Sequence, residues 1–434
     1  MSLTFVGVVG IVVLLCVLFF LGMPVGFSMA MVGFLGFSHV INLNAGMNMA
    51  GSVFWSVASK YGLTVIPLFI FMGQIAFYSG VNQRLYRAAH YWTGHIRGGL
   101  AMATIMACSA FAAICGSNTA TAATMSTVAL PEMRKYGYST ILSSGAIACG
   151  STLGVVIPPS VVLIIIGLAT EQSIARLFYG GIGAGVILTV FFLTTVRFVC
   201  RLFPEWGPVV EKKPIRDRVA SLSGAGEMLL LFGLVMVGLW VGFFTPSEAG
   251  AAGAFFALVI AVVGRTLSFA NFKRAVLDTL RISCMVIMLI AGAMIFGRFL
   301  AVTRIPFDLA AGVAALEFPA WAVMACICLI YTLGGAIMDA LALLLITIPI
   351  FFPLAIQMGY DPVWFAVTIT VVTTLGAVTP PVGATTYVVA GVAGDIPLKD
   401  VFKGVALFLP AYMITILLLI LFPALVTFLP GFLG

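Results

Sequence analysis

Charged side chains are scarce in this chain. Asp, Glu, Lys and Arg make up 8% of 434 residues, against 62% hydrophobic. A soluble domain of this length needs a polar surface that so few charges do not supply, so a water-soluble globular fold is excluded and a polytopic membrane protein is implied. Histidine is scarcer still, with three copies. No metal-ligand spacing, Ser–His pairing or convergent His/Asp/Glu cluster falls in the apolar segments. The chain is therefore not read as an enzyme, and no organic cofactor is expected. The eight cysteines (Cys16, Cys108, Cys115, Cys149, Cys200, Cys284, Cys326, Cys328) lie in or beside apolar segments. Cys326 and Cys328 point about 200° apart on a helix, which is poor ligand geometry. Packing is their expected role, and no disulfide framework follows. The first apolar run, 3–21, lacks a basic leader and a small-residue cleavage site, so it reads as a spanning helix and not as a signal peptide.

The net charge of +7 invites an anionic partner, yet position accounts for it. At about 20 residues per crossing, the spans read as 3–21, 25–41, 62–80, 139–170, 178–197, 227–244, 247–264, 283–301, 362–394 and 405–428. With both termini outside, the inside segments 84–97, 134–135, 197–218, 265–281 and 399–403 hold 17 of the 21 Lys and Arg. The outside loops hold Lys60, Arg176 and Arg304, and Arg298 falls within a span. The reverse orientation inverts this ratio, so the positive-inside rule favours N-out and C-out, and nucleic acid is not an expected partner.

What the chain does have is a duplication. Pro131, Gly137-Tyr138, Thr152-Leu153-Gly154 and Pro158-Pro159 recur 222 positions later as Pro353, Gly359-Tyr360, Thr374-Leu375-Gly376 and Pro380-Pro381. Pro24 and Pro246 keep the same offset. Five crossings per half is an odd number, so the second half enters the membrane with opposite orientation and the repeats are inverted. The halves are 1–197 and 227–434, joined by a cytoplasmic linker at 198–226. Scaffold helices fill 1–60 in the first half, and scaffold helices with an interfacial arm fill 227–281 in the second. Short stretches 46–58 and 268–281 read as interfacial helices.

Four segments do not read as simple spans. Residues 99–133 are too long for one helix and too short for two full crossings with a turn. They read as a re-entrant hairpin of two half-length helices, its polar tip at Gly116-Ser117-Asn118-Thr119. Residues 320–353 mirror it from the other side, with Gly334-Gly335 and Asp339 near the tip. Such a tip is tolerable at membrane depth only where protein or a water-filled cavity satisfies its backbone. The segments 139–170 and 362–394 are too long for straight crossings and each carries Pro-Pro. Because proline lacks the helical N–H and clashes with the turn before it, both helices should break, near 154–159 and 376–381. A broken helix presents carbonyl oxygens and half-helix termini near the midplane, where they can hold a cation or an anion. A packing kink is the plain alternative, made less attractive by two copies in register.

With Gly116-Ser117-Asn118-Thr119-Ala120-Thr121, then Pro131-Glu132-Met133 and Gly137-Tyr138, and the paired Pro-Pro breaks, the chain resembles the large membrane subunit of TRAP (tripartite ATP-independent periplasmic) transporters over essentially its full length. The resemblance implies an all-α polytopic fold of about 10 transmembrane spans plus two re-entrant hairpins in inverted repeats, moving as an elevator in the bacterial inner membrane. It implies uptake of a small organic acid (a C4-dicarboxylate, a sialic acid or a similar carboxylate) driven by Na+ as coupling ion. A periplasmic substrate-binding protein would deliver the solute, and a small four-helix membrane subunit, expected as a separate chain, would accompany the large one. A stand-alone divalent-anion/sodium symporter is the alternative.

On that footing Ser117, Asn118 and Thr119, with carbonyls around Gly154 and Pro158, are candidates for a first sodium site. Asp339, the counterpart of Ser117 at the same offset, is one for a second with Gly376, Thr379 and Gly383, since intramembrane carboxylates usually face a cavity or partner. Tip capping and local hydrogen bonding compete with both roles. Arg298 offers a bidentate fork to a substrate carboxylate, with snorkelling as the competing role. Gln74 is its counterpart in the first half. Ser151, Thr152, Ser160, Thr385 and Thr386 are candidate cavity hydroxyls. Thr245-Pro246-Ser247-Glu248 reads as a capping box.

Overall fold

The computed structural model describes residues 3–305, 307–308 and 319–432, with the side chains of 112–115 and 228–229 outside that description. The Cys115 side chain is therefore outside it too. Among these residues the chain is helical throughout, with no strand. Among the described residues nine helical segments are long and apolar enough to cross a bilayer, and a tenth arises if Ile215–Glu227 and Leu230–Trp240 count as one span. This is a multi-pass membrane protein, as composition requires.

The duplication extends to the helix ends. Gly99–Cys115, Asn118–Lys135 and a segment starting at Thr140 recur, within a residue of the 222 offset, as Ala320–Ile337, Ala340–Gln357 and a segment starting at Pro362. Both segments form helical hairpins, but their arms are not half-length. Each has 17 or 18 residues, about 26 Å at 1.5 Å per residue, and both arms of the second hairpin are long enough to span. Both long helices break where the prolines predict. The first runs Thr140–Ser151 and Leu153–Val156, then resumes at Val161–Thr170. The second stops at Gly376 and resumes at Ala384–Ala393. Both Pro-Pro bonds are cis.

One reading is corrected. The stretch 268–281 is no separate interfacial helix. It is the start of one 34-residue helix, Phe269–Val302, capped by Ser268 and carrying no helix breaker. Its first-half counterpart does separate, Leu43–Ser59 ending at Lys60 before a tight turn at Tyr61–Thr64. Helix resumes at Ile215, inside the segment read as linker. The basic stretch 84–97 contains an amphipathic helix, Val81–Thr93, which buries Val81, Leu85, Tyr86 and Ala88. That helix is tied to Ile215–Trp240 by an Arg84–Glu227 ion pair at 2.7 Å and by the Trp92 indole N–H donating to the Arg218 carbonyl at 3.1 Å.

The helices pack as two groups. In one, Leu3–Leu21, Val25–Val40 and Tyr61–Tyr78 assemble with Ile215–Trp240, Pro246–Val263 and Phe269–Val302, and Val81–Thr93 bridges Ile215–Trp240 to the first-hairpin arm Gly99–Cys115 of the other group. Glycine lets its central crossing close. A Cβ on Gly33 would stand 2.7 Å from the Phe296 backbone, so small residues set this interface, as is usual between membrane helices. The other group holds both hairpins, both broken helices, Ile174–Leu202 and Leu398–Leu421. Its core is aromatic: Phe192 meets Phe408 and Tyr412 edge-on at 5.6 and 5.0 Å, and the buried Trp364 donates to the Leu419 carbonyl at 2.6 Å.

Candidate functional site

Each hairpin tip sits on the break of the broken helix in its own half. At the first tip Gly116 turns the chain with φ +61°, a conformation that favours glycine. A Cβ there would lie 3.1 Å from the Val161 nitrogen and 3.3 Å from the Pro159 carbonyl. Ser117 caps the second arm, its hydroxyl accepting from the Ala120 N–H at 3.5 Å and lying 3.3 Å from the Thr119 hydroxyl. The Asn118 amide oxygen accepts from the Thr119 N–H at 2.8 Å. From the other side Gly154 closes in so tightly that a Cβ would stand 2.9 Å from the Ser117 carbonyl. Ser117, Asn118, Thr119, Gly154 and the Pro158-Pro159 corner are thus brought together, as expected. The donors are all neutral oxygens, a hard set suited to Na+ and not to a thiophilic metal.

The second tip meets its break by backbone. The Ala336 carbonyl accepts from the Val382 and Gly383 N–H groups at 3.1 and 2.9 Å. Gly335 and Gly376 face each other: a Cβ on Gly335 would lie 2.7 Å from the Thr373 carbonyl, and one on Gly376 2.6 Å from the Thr332 carbonyl. The Thr379 hydroxyl donates to the Gly376 carbonyl at 3.1 Å. Asp339 is exposed and caps Ala340–Gln357, its carboxylate accepting from the Leu341 N–H at 3.0 Å. Gly376, Thr379 and Gly383 therefore cluster at the tip. Asp339 stands at the same tip but, among the described residues, hydrogen-bonds only its own helix end.

The remaining candidates separate by environment. Ser151, Thr152 and Ser160 are fully buried and donate to the Ala148, Cys149 and Val155 carbonyls at 2.7–2.8 Å. Thr152 also meets the Tyr412 hydroxyl at 2.5 Å. These hydroxyls satisfy the backbone beside the first break and line neither of the two cavities described below. Thr386 does the same for Val378 at 2.9 Å, whereas the buried Thr385 hydroxyl has no hydrogen-bond partner among the described residues. Arg298 is exposed and donates to the Ser52 hydroxyl at 3.3 Å, and Gln74 is half-buried. The Thr245–Glu248 capping box forms as expected.

Two cavities lie along the seam between the helix groups, at opposite ends of Tyr61–Tyr78. One, about 390 Å³, is walled by Leu63, Ile165, Ile290, Met294 and the second-hairpin residues Ile348 and Phe352, with Lys60 and Glu171 at its edge. The other, about 520 Å³, is more polar, with Tyr78, Ser79, Asn82, Gln83 and the first-hairpin residues Thr124 and Thr127. The levels of Lys60 and Tyr78 are about 27 Å apart along the helix. Arg298, Gln74 and the tip residues line neither cavity. Sequence reasoning missed the Ala336 carbonyl, a backbone group without a side-chain signature. It also missed Thr124 and Thr127, whose signal was a threonine row, Thr121, Thr124 and Thr127, on a buried hairpin arm.

The family model described as "Tripartite ATP-independent periplasmic transporter, DctM component" matches residues 12–425. The chain belongs to this family. Such TRAP large permeases include the C4-dicarboxylate large permease DctM of Pseudomonas aeruginosa, 32% identical over 381 residues and covering 88% of each chain. The sialic acid large permease SiaM of Vibrio cholerae is 31% identical, covering 96% of this chain and 97% of its own. The isethionate permease DctMQ of Oleidesulfovibrio alaskensis is 33% identical over 88% of this chain, which spans 60% of that protein. Among solved structures, the YdaH transporter of Alcanivorax borkumensis shares the fold, with a TM-score of 0.65 at 16% identity over 90% of this chain and 89% of its own. As a TRAP large permease of the inner membrane, the chain serves membrane transport and not catalysis.

Proposed function

We propose that this permease carries a small organic acid into the cell in symport with Na+, receiving it from a periplasmic binding protein and working with a small four-helix membrane subunit. One observation carries the reading: two hairpin tips seated on two helix breaks, each junction made of backbone carbonyls and hydroxyls. Ser117, Asn118, Gly154 and Pro158 hold one sodium ion in this reading. Gly376, Thr379, Gly383 and the Asp339 carboxylate hold a second. Arg298, which has no carboxylate partner among the described residues, keeps its guanidinium fork for the solute. The helix group bearing the tips moves as an elevator against the other. The two halves are inverted with both termini periplasmic. The names of relatives that carry C4-dicarboxylate and sialic acid support a carboxylate as cargo.

The test is solute uptake into proteoliposomes holding the permease and its small subunit, with the binding protein added outside. Uptake should follow an inward sodium gradient, vanish when potassium replaces sodium, and need all three proteins. Uptake by the large chain alone would favour a stand-alone symporter. Uptake indifferent to the gradient would remove the coupling.

A further inference from the structure

The smaller seam cavity carries charge that transport does not use. Lys60 and Glu171 both line it, yet neither forms an ion pair or a side-chain hydrogen bond among the described residues. Two opposite charges on one cavity usually close on each other or stay apart in water. Here each ends a span. Lys60 precedes Tyr61–Tyr78 and Glu171 follows Thr140–Thr170, so both stand at one membrane surface. The wall below them, Leu63, Ile290, Met294, Ile348 and Phe352, is apolar and runs into the bilayer along Phe269–Val302 and the second hairpin. Glu171 takes the left-handed helix-end conformation, φ +57°, a position that favours glycine.

We propose that this cavity binds one phospholipid with a zwitterionic ethanolamine headgroup. The phosphate pairs with the Lys60 ammonium, the ethanolamine ammonium donates to the Glu171 carboxylate, and an acyl chain follows the apolar wall inward. Charge complementarity selects the headgroup. A glycerol headgroup brings no cation to Glu171, and choline brings one that cannot donate a hydrogen bond. Because the cavity lies between the two helix groups, the lipid is a wedge that resists their sliding.

The test exposes the purified full-length permease to mixed micelles of phosphatidylethanolamine, phosphatidylcholine and phosphatidylglycerol with identical acyl chains. Lipid retained after washing is then measured by mass spectrometry. Phosphatidylethanolamine should be retained preferentially, and Lys60→Met or Glu171→Gln should each lower that retention about tenfold, the loss of one charge-assisted contact. Met294→Trp, which fills the wall and leaves the charges intact, should lower it as well. Equal retention of the three lipids, preference for phosphatidylglycerol, or unchanged retention in Glu171→Gln would overturn the proposal. If Lys60→Met fails to fold, Glu171→Gln, at an exposed helix end, decides alone.

Discussion

At the scale of single residues, Asp339 poses the sharpest question, because its geometry is that of a helix cap while the proposed function gives its charge a second task. Asparagine caps helices about as well as aspartate, whereas alanine loses about 1 kcal/mol. Asp339→Asn should therefore melt like the wild type yet lose sodium-driven uptake, and Asp339→Ala should lose both. Full uptake in Asp339→Asn would reduce the residue to a cap. Arg298→Lys keeps the charge but not the fork, and should weaken solute uptake at low concentration while leaving sodium dependence intact. His90, on the amphipathic helix outside the spans, has its pKa lowered below the usual 6.5, chiefly by burial, with Lys213 and Lys135 reinforcing and Glu132 opposing. Between that lowered value and 6.5 the unfolded chain binds more protons than the folded one, so folded stability falls as pH drops through this range. Melting temperature should decline on acidification from neutral pH, and less so in His90→Gln.

Elements are where sequence and structure agree best and where their differences teach most. Paired prolines state a break in covalent terms, since no neighbour can restore the missing N–H, and so the breaks after Val156 and Gly376 were legible before any fold was known. The hairpin tips were legible from small polar residues inside an apolar run. The continuity of Phe269–Val302 was not, because an amphipathic stretch and an apolar one join without a breaker and only tertiary packing decides whether they part. The same limit applies to candidate hydroxyls. Ser151, Thr152 and Ser160 belong near the first break, yet whether a hydroxyl faces a cavity or its own backbone depends on helix rotation. Contact of tip with break depends on glycine, and this yields a graded test. Gly154→Ala and Gly335→Ala put a methyl group 2.9 and 2.7 Å from a backbone carbonyl, and overpacking of this kind costs about 1–3 kcal/mol. Both should lower the melting temperature and uptake. Gly391→Ala, on the Ala384–Ala393 helix with nothing within 4 Å of the added carbon, should change neither.

At the scale of the whole molecule, a charge distribution sets the orientation in which the helix groups would move. The basic segments cluster on one face in the N-out, C-out reading, which places Lys60, Glu171 and the apolar seam cavity outside and the threonine-lined cavity inside. Reporter fusions or impermeant thiol labelling at each terminus should find both termini periplasmic; a cytoplasmic terminus would invert the assignment of the cavities. Arg134 and Asp395 form an exposed ion pair between the first hairpin and the segment after the second broken helix, a contact across the two halves within the tip-bearing group. That group can move as a body only if its two junctions stay intact while the seam slides. The central claim is that sodium bound at those junctions drives the movement. Its most direct test is the initial rate of solute uptake under an inward sodium gradient, compared for wild type, Ser117→Ala and Asp339→Asn at matched incorporation into liposomes. The account predicts gradient-driven uptake in the wild type and its loss in both variants. Full uptake in both, or wild-type uptake that ignores the gradient, would contradict it.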